Sequence, residues 1–202
     1  GKDPANNASL KIFKIEPNNI RPNFADSNPC KPTVALSLFS TRIKNPSLDL
    51  KPENILISSL TDCKVKVIDY GNAYLHHDQR CSYVQSRAYR APEVVLGLPY
   101  SPKVDMWSLG VLLYVILSGC SPFSADEEEA LLAQVSEAKY EFYDSEWKAI
   151  SAPAKDLISK LLVVDPATRL TMEACLAHPW LAGAIEKGRQ KAAEMASAGP
   201  SN

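Results

Sequence analysis

A long uncharged stretch, between Asp105 and Asp126, limits the fold of this 202-residue chain more than any other feature of the sequence. Its strongly apolar part is Met106–Leu117, and the turn-like sequence SGCSPFS follows it. That part is too short for the roughly 20 apolar residues that cross a bilayer. We therefore predict a buried core helix that begins near Lys103, and no membrane partner.

Charge and cysteine content narrow the class of protein. The chain has 22 Lys and Arg against 23 Asp and Glu, so nothing indicates a nucleic-acid partner. The amino-terminal sequence GKDPANNASL lacks the apolar region of a signal peptide. Scattered cysteines without a CxxC pair predict reduced thiols in a cytoplasmic or nuclear protein. They are Cys30, Cys63, Cys81, Cys120 and Cys175.

Composition divides the chain into three zones. Residues 1–48 are rich in Pro, Asn and Ser and show no sustained period, which predicts an irregular segment. Residues 49–181 carry apolar patterns typical of a packed domain. Residues 182–202 are small and polar, and we expect a flexible tail there.

Two short runs of β-branched residues predict a hairpin. Ile55–Ile57 and Lys64–Ile68 are separated by SSLTDC, which suits a turn. Asp49 precedes the pair, Asn54 opens it and Asp69 closes it. A hairpin would return Asp69 to the neighbourhood of Asn54, and carboxylate and amide oxygens are the ligands that Mg²⁺ prefers.

The polar residues around this hairpin have the chemistry of phosphoryl transfer. Asp49 could accept a proton from an incoming hydroxyl, and Lys51 could neutralise charge on a transferred phosphoryl group. A single Asp of this kind would be read as a solvated turn residue. The joint pattern D-x-K-x-x-N followed by D-x-G is much harder to obtain by chance.

Six motifs now resemble a known family. DLKPEN, VIDYG, SRAYRAPE, VDMWSLG, DPATRL and HPWL, in this order from Asp49 to Leu181, are similar to the C-terminal lobe of eukaryotic protein kinases. The resemblance implies a mainly α fold with a small β-hairpin. It also implies a serine/threonine-type kinase that uses ATP and Mg²⁺ and acts on a protein substrate.

The resemblance assigns roles to individual residues. Asp49 matches the catalytic base, and Lys51 matches the lysine that contacts the phosphate. Asn54 and Asp69 match the Mg²⁺ ligands. Tyr70 stands where the family usually has Phe, so an aromatic side chain is kept.

Three further residues are expected to hold the lobe together. By resemblance, Glu93 would form a buried ion pair with Arg169 that braces the activation segment. Asp105 resembles the helix residue that bonds the backbone of the catalytic loop. Without the resemblance, Asp105 is equally well explained as an ordinary first-turn Asp near a helix N-terminus.

The subfamily stays open. One segment, SYVQSRAYRAPEVVLGLPY, is similar to the dual-specificity tyrosine-regulated kinases. This resemblance implies autophosphorylation of Tyr83, and Arg87 and Arg90 are near enough in sequence to pair with the phosphate. The alternative is that Tyr83 simply packs. LLYVILSGCSPFS and KDLISKLLVVDPATRLTMEACLAHPWL instead resemble calcium/calmodulin-dependent and checkpoint kinases.

The sequence before Asp49 departs from the family. No glycine lies between Gly1 and Gly71, so a G-x-G-x-x-G loop is excluded there, and Ser47-Leu48 stands in place of His-Arg. We therefore expect an incomplete large lobe without the small lobe, inactive alone. Either residues 1–48 are foreign sequence joined to a true kinase by truncation or a faulty gene model, or the chain is a non-catalytic, kinase-like interaction module.

Overall fold

The computed structural model describes residues 13–14, 49–59, 64–69 and 84–182. The strands are β1 (Phe13–Lys14), β2 (Ile55–Ser59) and β3 (Lys64–Val67). The helices are α1 (Pro92–Val95), α2 (Lys103–Ser118), α3 (Glu128–Ser136), α4 (Asp144–Trp147), α5 (Ala152–Leu161) and α6 (Met172–Leu176), with 3₁₀ turns at Pro52–Asn54 and Arg87–Tyr89. The described part is thus rich in helix with one small sheet, which confirms that much of the predicted fold class.

The sheet contains the predicted hairpin. Strands β2 and β3 pair antiparallel, with Ile55 opposite Val67 and Leu56 opposite Lys66. Ile55 and Val67 are buried and anchor this end of the hairpin in the core. Because the strands are antiparallel, the residues that precede β2 and those that follow β3 lie at the same end of the sheet.

Strand β1 was not predicted. It pairs antiparallel with the other edge of β2, with Lys14 opposite Leu56, and it belongs to the zone 1–48 that was expected to be irregular. The other residues of that zone lie outside the described residues, as do residues 183–202 of the expected tail. The irregular character of the first zone and the flexibility of the tail therefore stay predictions.

Helix α2 is the core helix that the uncharged stretch predicts. Nearly all of its side chains are buried. Gly119 ends it in a left-handed conformation, with φ +80°, and donates its N–H to the carbonyl of Val115 at 2.8 Å. None of the helices in the described part of the chain combines the length and apolarity needed to cross a bilayer.

Helix α5 packs against α2 through its apolar face. Leu157, Ile158 and Leu161 are all fully buried, as their spacing predicts. The following helix, α6, begins at a capping residue: the Thr171 hydroxyl oxygen accepts a hydrogen bond from the N–H of Ala174 at 3.2 Å.

Gly110 allows α2 and α5 to approach closely, and its replacement by Ala should destabilise the chain. A Cβ atom at this position would lie 2.9 Å from the Cβ of Leu161 and 2.9 Å from a methyl carbon of Leu162. We expect Gly110→Ala to lower the free energy of unfolding by about 1–3 kcal/mol, because overpacking outweighs the gain in helix propensity of about 1 kcal/mol. Urea unfolding measures the difference.

The control for this substitution separates packing from propensity. Ala133 lies on the exposed side of α3, where Ala133→Gly should cost about 1 kcal/mol from helix propensity alone. If Gly110→Ala instead stabilised the chain by a similar amount, the close contact between α2 and α5 would not resist an added methyl group.

Candidate active site

Asp49 lies in a ring of hydrogen bonds that joins the turn before β2 to residues 84–91. Its buried carboxylate accepts, through Oδ1, the backbone N–H and the hydroxyl of Ser86 at 2.9 and 2.8 Å. Its Oδ2 accepts a hydrogen bond from Nζ of Lys51 at 2.7 Å. Lys51 Nζ also donates to the hydroxyl oxygen of Ser86 at 2.7 Å. The structure therefore brings Asp49 and Lys51 together, as predicted, and adds Ser86 to them.

The ring determines the ionisation of Asp49. Burial by itself would raise its pKa, but hydrogen bonds from Lys51 and Ser86 and the charge of Lys51 outweigh burial and lower the pKa below its ordinary value. Asp49 is therefore ionised at neutral pH. Such a carboxylate can accept a hydrogen bond from a hydroxyl group and orient it, and it takes up the proton only as the hydroxyl becomes more acidic during the reaction.

Asn54 is held with its side-chain oxygen turned away from Asp49. The amide nitrogen Nδ2 donates to the backbone carbonyl of Asp49 at 2.9 Å, so the oxygen Oδ1 is the atom left to accept from or ligate another group. The backbone carbonyl of Asn54 accepts the N–H of Ile68 at 2.9 Å. The hairpin therefore returns Asp69 to the neighbourhood of Asn54, which confirms the predicted geometry.

Asp69 has a strained backbone and an exposed side chain. Its φ is +59°, in the left-handed region that residues other than Gly rarely adopt, although Asp is among those that tolerate it. Holding a residue there costs about 1–3 kcal/mol, and strain of this kind concentrates at functional sites. The backbone at Asp69 is thus consistent with the role predicted for its carboxylate.

The donor atoms at this end of the hairpin fit Mg²⁺. Asn54 supplies an amide oxygen and Asp69 a carboxylate, and Mg²⁺ usually takes one or two carboxylates together with waters and substrate phosphates. Within residues 49–59, 64–69 and 84–182, no group of three or more His, Cys, Asp or Glu side chains is placed to hold a metal ion by itself. A nucleotide's phosphates would have to complete the coordination, and the role of both residues as ligands stays a prediction.

The spacing of the sequence gives no sign that Ser86 contacts Asp49. The two residues are 37 positions apart, and the segment that brings the hydroxyl to the carboxylate is bonded to α2. Ser86 opens the quoted motif SRAYRAPE, so the motif contains the signal, but one hydroxyl among several cannot be ranked without the fold.

Arg87 and Arg90, which were expected to pair with a phosphate on Tyr83, have different surroundings. Arg90 is buried and donates through Nε to the carbonyl of Val84 at 3.2 Å and through Nη2 to that of Gln85 at 3.1 Å. Arg87 is half exposed, and its Nη2 lies 3.6 Å from a carboxylate oxygen of Glu128. Tyr83 lies outside the described residues, so its phosphorylation stays a prediction.

The ion pair between Glu93 and Arg169 is present as predicted. Two parallel hydrogen bonds of 2.8 and 2.9 Å join the carboxylate to the guanidinium, and both side chains are buried. All five N–H groups of Arg169 are bonded, because three further bonds go to backbone carbonyls. These carbonyls belong to Lys103, Val163 and Val164.

Asp105 lies in the first turn of α2, and its side chain is buried. An ordinary first-turn Asp that interacts only with the helix dipole would be expected in solvent. Burial therefore favours the more specific of the two interpretations given above. Its hydrogen bond to the backbone of the catalytic loop stays a prediction.

Comparison with known proteins identifies the family. The model of the protein kinase domain matches residues 47–181, so the chain belongs to the protein kinase family. The match begins two residues before Asp49.

The proteins to which this chain is similar include two curated kinases and one solved kinase structure. The chain is 41% identical over 155 residues to "Myosin light chain kinase 2, skeletal/cardiac muscle" of Mus musculus, covering 76% of this chain and 25% of that protein. It is 44% identical over 136 residues to "Calcium-dependent protein kinase SK5" of Glycine max, covering 66% and 27%. The solved twitchin kinase region from C. elegans is 30% identical with a TM-score of 0.70, covering 85% of this chain and 32% of that one. The chain thus spans about a quarter of the length of these curated relatives.

Proposed function

We propose that this chain carries the substrate-binding lobe of a serine/threonine-type protein kinase, which transfers the γ-phosphoryl group of ATP to a hydroxyl group of a protein. The observation that carries the proposal is the ring of Asp49, Lys51 and Ser86, placed beside Asn54 at the end of the hairpin. Membership of the protein kinase family supports it.

Each polar residue then has a distinct task. Asp49 accepts a hydrogen bond from the attacking hydroxyl and receives its proton as the new oxygen–phosphorus bond forms and the bond to the departing ADP breaks. Lys51 places positive charge beside the transferred group. Asn54 and Asp69 supply oxygen ligands for Mg²⁺, which when bound neutralises charge on the phosphates.

The 202-residue chain by itself should be nearly inert. Phosphoryl transfer depends on positioning the nucleotide, which in kinases requires a glycine-rich loop, a strand lysine and its partner glutamate. The sequence between Gly1 and Asp49 has no further glycine, and Ser47-Leu48 replaces the usual His-Arg. The same departures favour a second candidate function, a kinase-like module that binds partners without catalysis.

A chimera separates the two candidate functions. Residues 47–202 are joined behind the glycine-rich lobe of myosin light chain kinase 2, and transfer from Mg²⁺–ATP to a peptide is measured beside the 202-residue chain. We expect the chimera to turn over and the chain alone to be inactive. Asp69→Ala in the chimera should lower the rate at least about 100-fold, because a metal ligand is lost.

The matched control is Asp144→Ala, which removes an exposed carboxylate from α4 and should leave the rate of the chimera unchanged. A folded chimera that binds ATP without transferring phosphate would favour the interaction module. Robust turnover by the 202-residue chain that is lost with Asp69→Ala would contradict the proposed inertness.

A further inference from the structure

Gln85 is a buried polar residue in a conformation that its type rarely adopts. Its backbone φ is +67°, in the left-handed region, and only 5% of its surface is exposed. Asn, Asp and His enter this region more readily than Gln does. Some set of contacts must therefore hold Gln85 there, and its side chain makes them.

The side-chain amide of Gln85 uses all of its hydrogens. Nε2 donates to the backbone carbonyl of Val104 at 3.0 Å and to the hydroxyl oxygen of Ser108 at 2.7 Å, and both partners belong to α2. Oε1 accepts the backbone N–H of Ala91 at 2.9 Å. Because that N–H can only donate, the positions of oxygen and nitrogen in the amide are fixed.

The hydroxyl of Ser108 extends this contact to the rest of the segment. It donates to the backbone carbonyl of Tyr89 at 2.7 Å while it accepts from Gln85. The backbone carbonyl of Gln85 is held as well, because Arg90 donates a hydrogen bond to it at 3.1 Å. The segment 84–91 is therefore tied to the core helix by two hydrogen bonds of the Gln85 amide and by the hydrogen bond from Ser108 to Tyr89.

The residue after Gln85 is the one that bonds Asp49. The N–H and the hydroxyl of Ser86 both point at Oδ1 of that carboxylate. The direction of the N–H depends on the preceding backbone turn, and the left-handed conformation of Gln85 sets that turn. The connection from α2 to Asp49 therefore consists of the hydrogen bonds of the Gln85 amide, the peptide bond to Ser86 and the two hydrogen bonds from Ser86 to Asp49.

We propose that Gln85 is a positioning residue for phosphoryl transfer, whose amide fixes the left-handed turn that aims Ser86 at the carboxylate of Asp49. Gln85 acts through Ser86 and does not itself reach the reacting atoms. Its importance for catalysis rests on the proposed function, whereas its effect on the geometry of Ser86 does not. The test is therefore made on Ser86 and needs no kinase activity.

The experiment is hydrogen exchange of the Ser86 amide, followed by NMR in the full 202-residue chain. Gln85→Gly removes the anchor but permits a positive φ, and Ser108→Ala keeps Gln85 but removes one partner of its amide, together with the hydrogen bond to the carbonyl of Tyr89. We expect the protection of the Ser86 amide to fall about tenfold in both variants, relative to the amide of Ile158 in the core, because its bond to Asp49 is loosened. The proton shift of the same amide should move upfield.

Gln134→Ala is the matched control. Gln134 also ties a turn through its amide, with bonds to the N–H and carbonyl of Ser124, but it lies on α3 and outside the path to Asp49. Its replacement should leave the Ser86 amide unchanged. Wild-type protection of Ser86 in a folded Gln85→Gly chain would overturn the proposal, and if that variant does not fold, Ser108→Ala decides in the same way. Neither result bears on whether the chain carries the lobe of a kinase.

Discussion

Replacing Arg169 with Met should lower the free energy of unfolding by about 3–5 kcal/mol, the largest effect on stability that we expect from one substitution. The guanidinium satisfies the buried carboxylate of Glu93 with two hydrogen bonds and three backbone carbonyls with the others. Met fills a similar volume but leaves Glu93 as an uncompensated buried charge. Urea unfolding monitored by circular dichroism measures the loss.

Lys160→Met is the control for removal of a positive charge. Lys160 pairs with Asp156 one helical turn away, both side chains are half exposed, and such pairs contribute less than about 1 kcal/mol. The double variant with Glu93→Leu and Arg169→Met should regain part of the stability, because no charge is then left buried. Equal losses for Arg169→Met and Lys160→Met would show that burial gives the Glu93 pair no special importance.

Asp49→Asn should lower the turnover number of the chimera by about 10²–10⁴-fold with little change in the KM for ATP. Asn keeps the shape of the side chain but cannot take up the proton of the attacking hydroxyl. The measurement is steady-state kinetics with a peptide substrate. Asp156→Asn, which changes an exposed carboxylate on α5, should have no effect, and a similar loss in both variants would remove Asp49 from its proposed role.

Because the pKa of Asp49 is lowered, the effect of Asp49→Asn on the free energy of unfolding should depend on pH. Because folding lowers the pKa, the ionised carboxylate stabilises the native state above its ordinary pKa, and this contribution is lost as the pH falls through the lowered value. The difference in stability between the wild type and Asp49→Asn should therefore shrink in acid. A difference that stays constant down to pH 2 would mean that the ring does not depend on the charge.

The parts of the fold that were predictable have local patterns. Helix α2 follows from an uncharged stretch, and the hairpin follows from two β-branched runs separated by a turn-like sequence. Strand β1 could not be predicted, because two residues carry no period and its pairing with β2 is decided by tertiary contact.

The site was predictable only in its short-range members. Asp49, Lys51 and Asn54 lie within one turn, so their spacing carried the prediction, and the hairpin supplied Asp69. Ser86 and Gln85 depend on packing against α2, and no residue spacing encodes a left-handed turn at a glutamine. The ion pair of Glu93 and Arg169 spans 76 positions and was expected by resemblance alone.

The ammonium of Lys51 has three hydrogens, and the structure gives two of them to Asp49 and Ser86. In the proposed function, the third hydrogen would donate to a phosphate oxygen while the bonds to Asp49 and Ser86 are kept. Binding of ATP would then add one contact to a ring of hydrogen bonds that is already formed, and the ring would not have to open and form again.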